Sequence, residues 1–269
     1  MILKKTIIGL LFALSLIASP ENFDEVMVRF ISNELDAKGI NHGDIKILNT
    51  KNIESGWKAT KILVSIEKDG IKEKAEEIII SNGDYIVTNA INIKTGKTIR
   101  DKLVNFKETY YDEDYLVLGS KKAKNKILII SDPFCPFCKD VIDRIADNIE
   151  KKKDVALYIY EIPLKIHKGS ENAVKFIYTL NDKKDIIKIY KAKAERSIVQ
   201  STSKTKIKEW IESVIKKKIS IVDAENPKNI LKITRARKVA DELGAKSTPT
   251  IFLNGEHQLN LQKINAILK

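Results

Sequence analysis

Cysteine is scarce in this 269-residue chain: two residues, Cys135 and Cys138. A fold stapled by many disulfides is thereby excluded. A pair this close also shuts almost no loop, so as a structural bridge it would add little chain-entropy stabilisation. Histidine is nearly as rare, with His42, His167 and His257 the full complement. Their spacing, taken with the two cysteines, matches no zinc pattern. Residue 139 is Lys, so the histidine that a c-type haem site needs after its second cysteine is missing. Internal repeats and low-complexity tracts are absent. Beyond Ala18 no stretch is apolar enough to span a bilayer. The net charge is +12. Lysine is nevertheless spread among Glu and Asp rather than clustered with aromatics, so a nucleic-acid interface is not expected. The surface reads as solvated and lysine-rich, with a mild preference for anionic surfaces.

The first residues carry more information. Lys4 and Lys5 form a basic start, an apolar run covers Thr6 to Ala18, and small residues follow at Ala18 and Ser19. That is the plan of a secretory signal peptide over 1–18. It predicts an exported protein whose remaining chain, about 250 residues, buries an adequate core without staples.

Residues 19–97 read as one small α+β unit. Asn22 caps a helix whose Val26, Phe30, Ile31 and Leu35 share a face, and Gly39 ends it. Strand-like runs follow at Ile45–Leu48, Ala59–Ile66, Ala75–Ile80 and Tyr85–Ile91, with hairpin pairs at Asp69-Gly70 and Asn82-Gly83. One helix on one sheet predicts a thin core that leaves a face in need of a partner. Residues 98–109 (TIRDKLVNFKET) look like a short polar linker helix. Residues 110–269 then read as strand, strand, the cysteine pair, helix, strand, a helical insertion over about 169–243, a two-stranded hairpin and a closing helix. Strand–helix–strand implies a parallel pair, and the hairpin an antiparallel edge.

The pair sits in SDPFCPFCKD, immediately after the unbroken apolar strand Ile127–Ile130. From Pro136 the phase turns helical, with Val141, Ile142, Ile145 and Ile149 on one face. Cys135 thus stands at a helix start, where free N–H groups and the helix dipole favour a thiolate. Pro136 occupies the first turn, where a missing N–H costs nothing. Cys138 lies one turn further in. The arrangement predicts an exposed, acidified nucleophile at Cys135 and a shielded resolving thiol at Cys138. Redox chemistry outranks a metal clip or an inert disulfide, and neither metal nor other cofactor is expected. A second element is KSTPTIFLNG, where Thr248-Pro249 precedes a strand and is a candidate cis bond. Such a proline leaves a backbone edge free for a substrate peptide to pair by strand addition. His167, in IPLKIHKGSENA, reads first as a local cap or packing residue and only second as an aid to proton transfer.

The CxxC after a central strand, with Thr248-Pro249 before the last hairpin, resembles the thioredoxin fold. More specifically, the chain resembles the periplasmic disulfide isomerases of the DsbC/DsbG family. SNGDYIVTNAINIKTG looks like the last hairpin of that family's N-terminal domain, and Asp132, three residues before Cys135, fits its pattern. The resemblance implies a cystatin-like N-terminal dimerisation domain and a V-shaped homodimer with two sites facing a cleft. It also implies unfolded or misoxidised exported proteins as substrates and a membrane redox partner of DsbD or DsbB type. The sequence departs from the pattern at Pro136-Phe137, which replaces the isomerase Gly-Tyr and is nearer the Pro-Tyr of the DsbG type. It matches the DsbA oxidase only in its proline. Phe137 donates no hydrogen bond to a thiolate, so a milder oxidant than a CPHC enzyme is expected. Ile129 stands where many thioredoxin-fold proteins bury an acid, so no proton relay is visible. A DsbA-like dithiol oxidase and a cleft-binding holdase chaperone are the alternatives. A reductant for cytochrome maturation has no dedicated feature.

Overall fold

The structure is a computed structural model that describes residues 22–53, 55–68, 71–87, 90–93, 98–99, 101, 103–245 and 247–269. The expected leader and the Asp69-Gly70 turn lie outside the described residues. The chain divides into two compact units, Met1–Thr88 and Asn89–Lys269.

In the first unit, α1 (Phe23–Ala37) is capped by Asn22, whose side chain accepts from the Asp24 N–H at 3.2 Å. Gly39 closes the helix at φ 65°, a left-handed conformation that favours glycine. β1 (Asn41–Asn52), β2 (Lys58–Lys68), β3 (Ile71–Ser81) and β4 (Ile86–Val87) then form an antiparallel sheet in sequence order. Met27 of α1 is buried, as are Ala59, Ile62, Val64 and Ile80 of the sheet. Phe30, expected on the buried face of α1, is 47 % exposed. Alternation along β2 explains the arrangement: Ile62 and Val64 share a face, and their registered neighbours Ile47 and Ile45 on β1 continue it.

The expected boundary at residue 97 lies outside the described residues. The segment after residue 89 bonds to itself, through the bridge Ile91↔Thr98 and the Ile99 N–H to the Ala90 carbonyl at 2.8 Å. The linker helix expected over 98–109 is not present as an α-helix among the described residues, where Glu108–Tyr110 forms a 3-10 turn. Tertiary contacts override the local pattern. Asp101 pairs with His257 at 2.7 Å, and Phe106 packs on Phe252 and lies against Gly255.

The second unit is a five-stranded sheet ordered β5-β7-β6-β8-β9. Its strands are β5 (Leu116–Leu118), β6 (Asn125–Ser131), β7 (Val155–Glu161), β8 (Thr250–Leu253) and β9 (Glu256–Gln258). β6 and β7 are parallel, joined by α2 (Pro136–Glu150), while β8 and β9 form the expected hairpin about Asn254 and Gly255, both at positive φ. Between β7 and β8 run α3 (Ser170–Ile177), α4 (Lys184–Lys191), α5 (Arg196–Val199), α6 (Lys204–Ile215), α7 (Ile221–Ala224) and α8 (Pro227–Glu242), and α9 (Gln262–Leu268) closes the chain. Ile230 of α8 is exposed.

Both sheet faces are covered, which is why Ile127 to Ile130 need no alternation. Ile127, Ile129, Leu157 and Ile159 pack with residues of α2, α3, α4, α6 and α9. Leu128, Ile130, Tyr158 and Tyr160 pack on the other side with Tyr110, Tyr115 and α8. Among the described residues no helix is long and apolar enough to cross a membrane.

Candidate active site

β6 delivers the site. Its last residue is Ser131, then Asp132 to Phe134 turn the chain and Cys135 becomes the N-cap of α2, with Pro136 in the first turn. The Cys135 N–H bonds the Asp132 carbonyl at 3.1 Å, and the Cys135 carbonyl accepts from the Lys139 N–H at 3.1 Å. Both thiols are free. Cys135 keeps 4 % of its surface and Cys138 none, so the difference in access is smaller than the sequence suggests. The reason is distant in sequence: the Thr248 carbonyl lies 3.6 Å from Cys135 Sγ and covers it.

The two thiols are pushed in opposite directions. A hydrogen bond from Cys138 lowers the Cys135 pKa most, to about 5, against the opposing effect of burial and with help from Thr248 and the N–H groups of Cys138 and Phe137. Cys138 is raised, first by its bond to Cys135 and then by burial. At neutral pH the reduced pair is therefore a thiolate beside a thiol.

The structure brings the other expected residues to the same place. The Thr248-Pro249 bond is cis, and Thr248 faces Cys135. Pro136 is exposed, and Phe137 stands 72 % exposed next to the thiols. His167 is a positioning residue: its Nδ1 meets the fully buried Asp132 carboxylate at 3.0 Å. Asp132 also accepts from the N–H groups of Phe134 and Leu164, each at 2.8 Å, and so ties the loop after β7 to the turn before Cys135.

Two features escape sequence reasoning. Lys139 sends its ammonium to the C-terminal end of α4, donating to the carbonyls of Ile189 at 3.2 Å and Ala192 at 2.5 Å. Burial lowers its pKa to about 8, partly countered by Asp132. Trp210 lies beneath that ammonium and against Phe134, whose ring also approaches the position a side chain at Gly169 would fill. The second feature is Glu161, a buried acid at the end of β7. At a strand end it reads as an ordinary polar terminus; its parity with Ile159 was the available signal.

Comparison with known proteins gives the following. The thioredoxin family profile matches residues 112–269. No curated protein gives a significant match. Solved structures similar to the chain include oxidised BdbD from Bacillus subtilis, 18% identical over 58% of this chain and 91% of that one, TM-score 0.48. The catalytic domain of Proteus mirabilis ScsC is 18% identical over 60% of this chain and 91% of that one, TM-score 0.46. The thiol-disulfide exchange protein alpha-DsbA2 from Wolbachia pipientis is 17% identical over 60% and 89%, TM-score 0.46. With the family profile covering more than half its length and a CxxC capping the helix after the central strand, this chain belongs to the thioredoxin family.

Proposed function

We propose that the chain is a periplasmic thiol:disulfide interchange protein of the DsbC/DsbG type, forming or isomerising disulfides in exported proteins. The observation that carries this reading is the split pair, an acidified Cys135 at a helix N-terminus over a shielded Cys138. The Cys135 thiolate attacks one sulfur of a substrate disulfide. A Cys135–substrate bond forms, the substrate S–S bond breaks, and the other sulfur leaves as a thiolate. Cys138 then attacks Cys135 and frees the second substrate thiolate. The substrate gains two electrons and the pair becomes a disulfide; oxidation of a substrate dithiol is the reverse. The 247–249 backbone offers an extended peptide its pairing groups, and Phe137 offers an apolar contact. The N-terminal unit serves dimerisation, and a membrane partner of DsbD or DsbB type resets the pair.

The test is reactivation of a secreted ribonuclease carrying scrambled disulfides. The reduced protein restores activity and the Cys135→Ser variant does not; equal performance of the two removes the enzyme reading. Alkylation trapping in cells gives the direction, a mostly reduced pair marking an isomerase and a mostly oxidised pair an oxidase. Aggregation suppression that survives Cys135→Ser, with no effect in cells, favours the holdase. A clean monomer in sedimentation removes the cleft.

A further inference from the structure

Lys139 follows the resolving cysteine, and its ammonium meets carbonyls and a ring rather than a carboxylate. Nζ donates to the carbonyls of Ile189 at 3.2 Å, Tyr190 at 3.5 Å and Ala192 at 2.5 Å, the free end of α4, and lies 5.7 Å from the centroid of the Trp210 ring on α6. Taking an ammonium out of water is costly, and the negative end of a helix dipole offsets only part of that. A lysine pointing into solvent would avoid the cost, so this placement calls for a reason. Lys139, Asp143 and Asp147 are spaced four apart and form one stripe along α2. Lys191 of α4 answers the stripe, with Asp147 at 2.5 Å and Asp143 at 3.7 Å. The two aspartates are exposed and their ion pairs contribute little, so the half-buried Lys139 is the main tie between α2 and α4.

The same insertion grips the turn before Cys135. Phe134 packs on Trp210 with ring centroids 5.2 Å apart. A Cβ on Gly169 would stand 3.1 Å from Phe134 Cε2, 2.8 Å from the Ile198 carbonyl oxygen and 2.9 Å from Ile207 Cδ1. Gly169 has φ −81°, which any residue adopts, so close approach rather than backbone angle favours glycine there. Trp210 serves both contacts, and its indole N–H is itself fixed on the Lys193 carbonyl at 3.4 Å.

We infer that Lys139 is a positioning residue of the redox site: with Trp210 it fastens the first turn of α2 to the helical insertion, so that the N–H groups of that turn stay aimed at the Cys135 sulfur. The inference rests on the thiol-exchange reading and gives the insertion a part in it. Cys135 is the N-cap and Pro136 has no N–H, so Phe137 and Cys138 carry the free donors nearest the sulfur. Those two N–H groups help to hold Cys135 acidic. The Lys139 N–H closes the turn on the Cys135 carbonyl at 3.1 Å, so backbone and side chain of one residue fix the turn together. Hydrogen bonds weaken steeply with angle, and a small rotation of the turn would take these donors from the thiolate. Lys139 acts through the turn and exchanges neither proton nor electron with substrate.

Reduced protein is titrated by the ultraviolet absorbance of its thiolate. In parallel it is mixed with an aromatic disulfide that releases a coloured thiolate when Cys135 attacks. Native protein that releases none refutes the thiol-exchange reading, while the titration still decides the role of Lys139. The native midpoint is expected near 5. Lys139→Met keeps an unbranched stem and removes the donors; it should raise the midpoint by about one unit, a tenfold change in the ionisation constant. Lys139→Arg restores donors and should bring the midpoint back. Trp210→Leu leaves the lysine charge in place and removes the ring beneath it; it should raise the midpoint by less, which separates positioning from charge. A Lys139→Met protein that melts earlier yet titrates at the native midpoint has lost a structural contact alone and overturns the inference. Should Lys139→Met fail to fold, Trp210→Leu decides: a raised midpoint supports the inference and a native one overturns it.

Discussion

The two units solve the same problem differently. The first lays one helix on an antiparallel sheet and leaves Phe30 and Leu48 at the surface; the second clothes a mixed sheet on both faces until Ile127 through Ile130 lose all exposure. Chemistry sits on the second. A thiolate held well below its ordinary range beside a thiol held above it requires a dry, rigid platform and a fixed helix N-terminus. The half-clothed sheet has apolar surface left over, which suits association.

The largest effect separates chemistry from scaffold. Cys135→Ser should abolish exchange with an aromatic disulfide while leaving the thermal melt of the first unit unchanged. The same position also links pH to stability. Folding lowers the Cys135 pKa, so reduced native protein gains stability relative to Cys135→Ser that is full above the unfolded thiol's range and is lost as pH falls through about 5. Denaturant titrations of both proteins at alkaline and acid pH measure it; a gap that widens on acidification contradicts it. Next in size, Phe252→Ala empties the buried face under Phe106 and should cost about 3–5 kcal/mol in urea unfolding. Phe137→His adds a donor beside the thiols and should raise the reduction potential by roughly 30–60 mV, one to two decades in the exchange equilibrium. A potential that stays put or falls shows that the residue between the cysteines does not set oxidising strength here. Smallest in the isolated protein, Phe30→Ala should shift unfolding by less than about 0.5 kcal/mol. If the first unit associates through this face, the same change should weaken self-association in sedimentation.

Local chemistry was readable in the sequence wherever neighbours in the chain are neighbours in space. The Ile127–Ile130 run, the helical phase beginning at Pro136, the Asn254-Gly255 turn and the Asn22 cap all depend on contacts a few residues apart. The failures share a cause. Residues 98–109 have helical spacing, but Asp101 and Phe106 are claimed by His257 and Phe252, more than a hundred positions away. Cys135 is covered by Thr248, likewise more than a hundred positions away. The burial of Glu161 was invisible because it depends on which strand stands beside it, a fact created by pairing.

That pairing has a consequence of its own. Successive side chains of a strand point to opposite faces, so a one-residue slip of β7 along β6 would send Glu161 into the aromatic layer beneath α8 and swing Tyr160 under the thiols. The polarity of the layer beneath the cysteines is thus encoded as an alignment between two backbones.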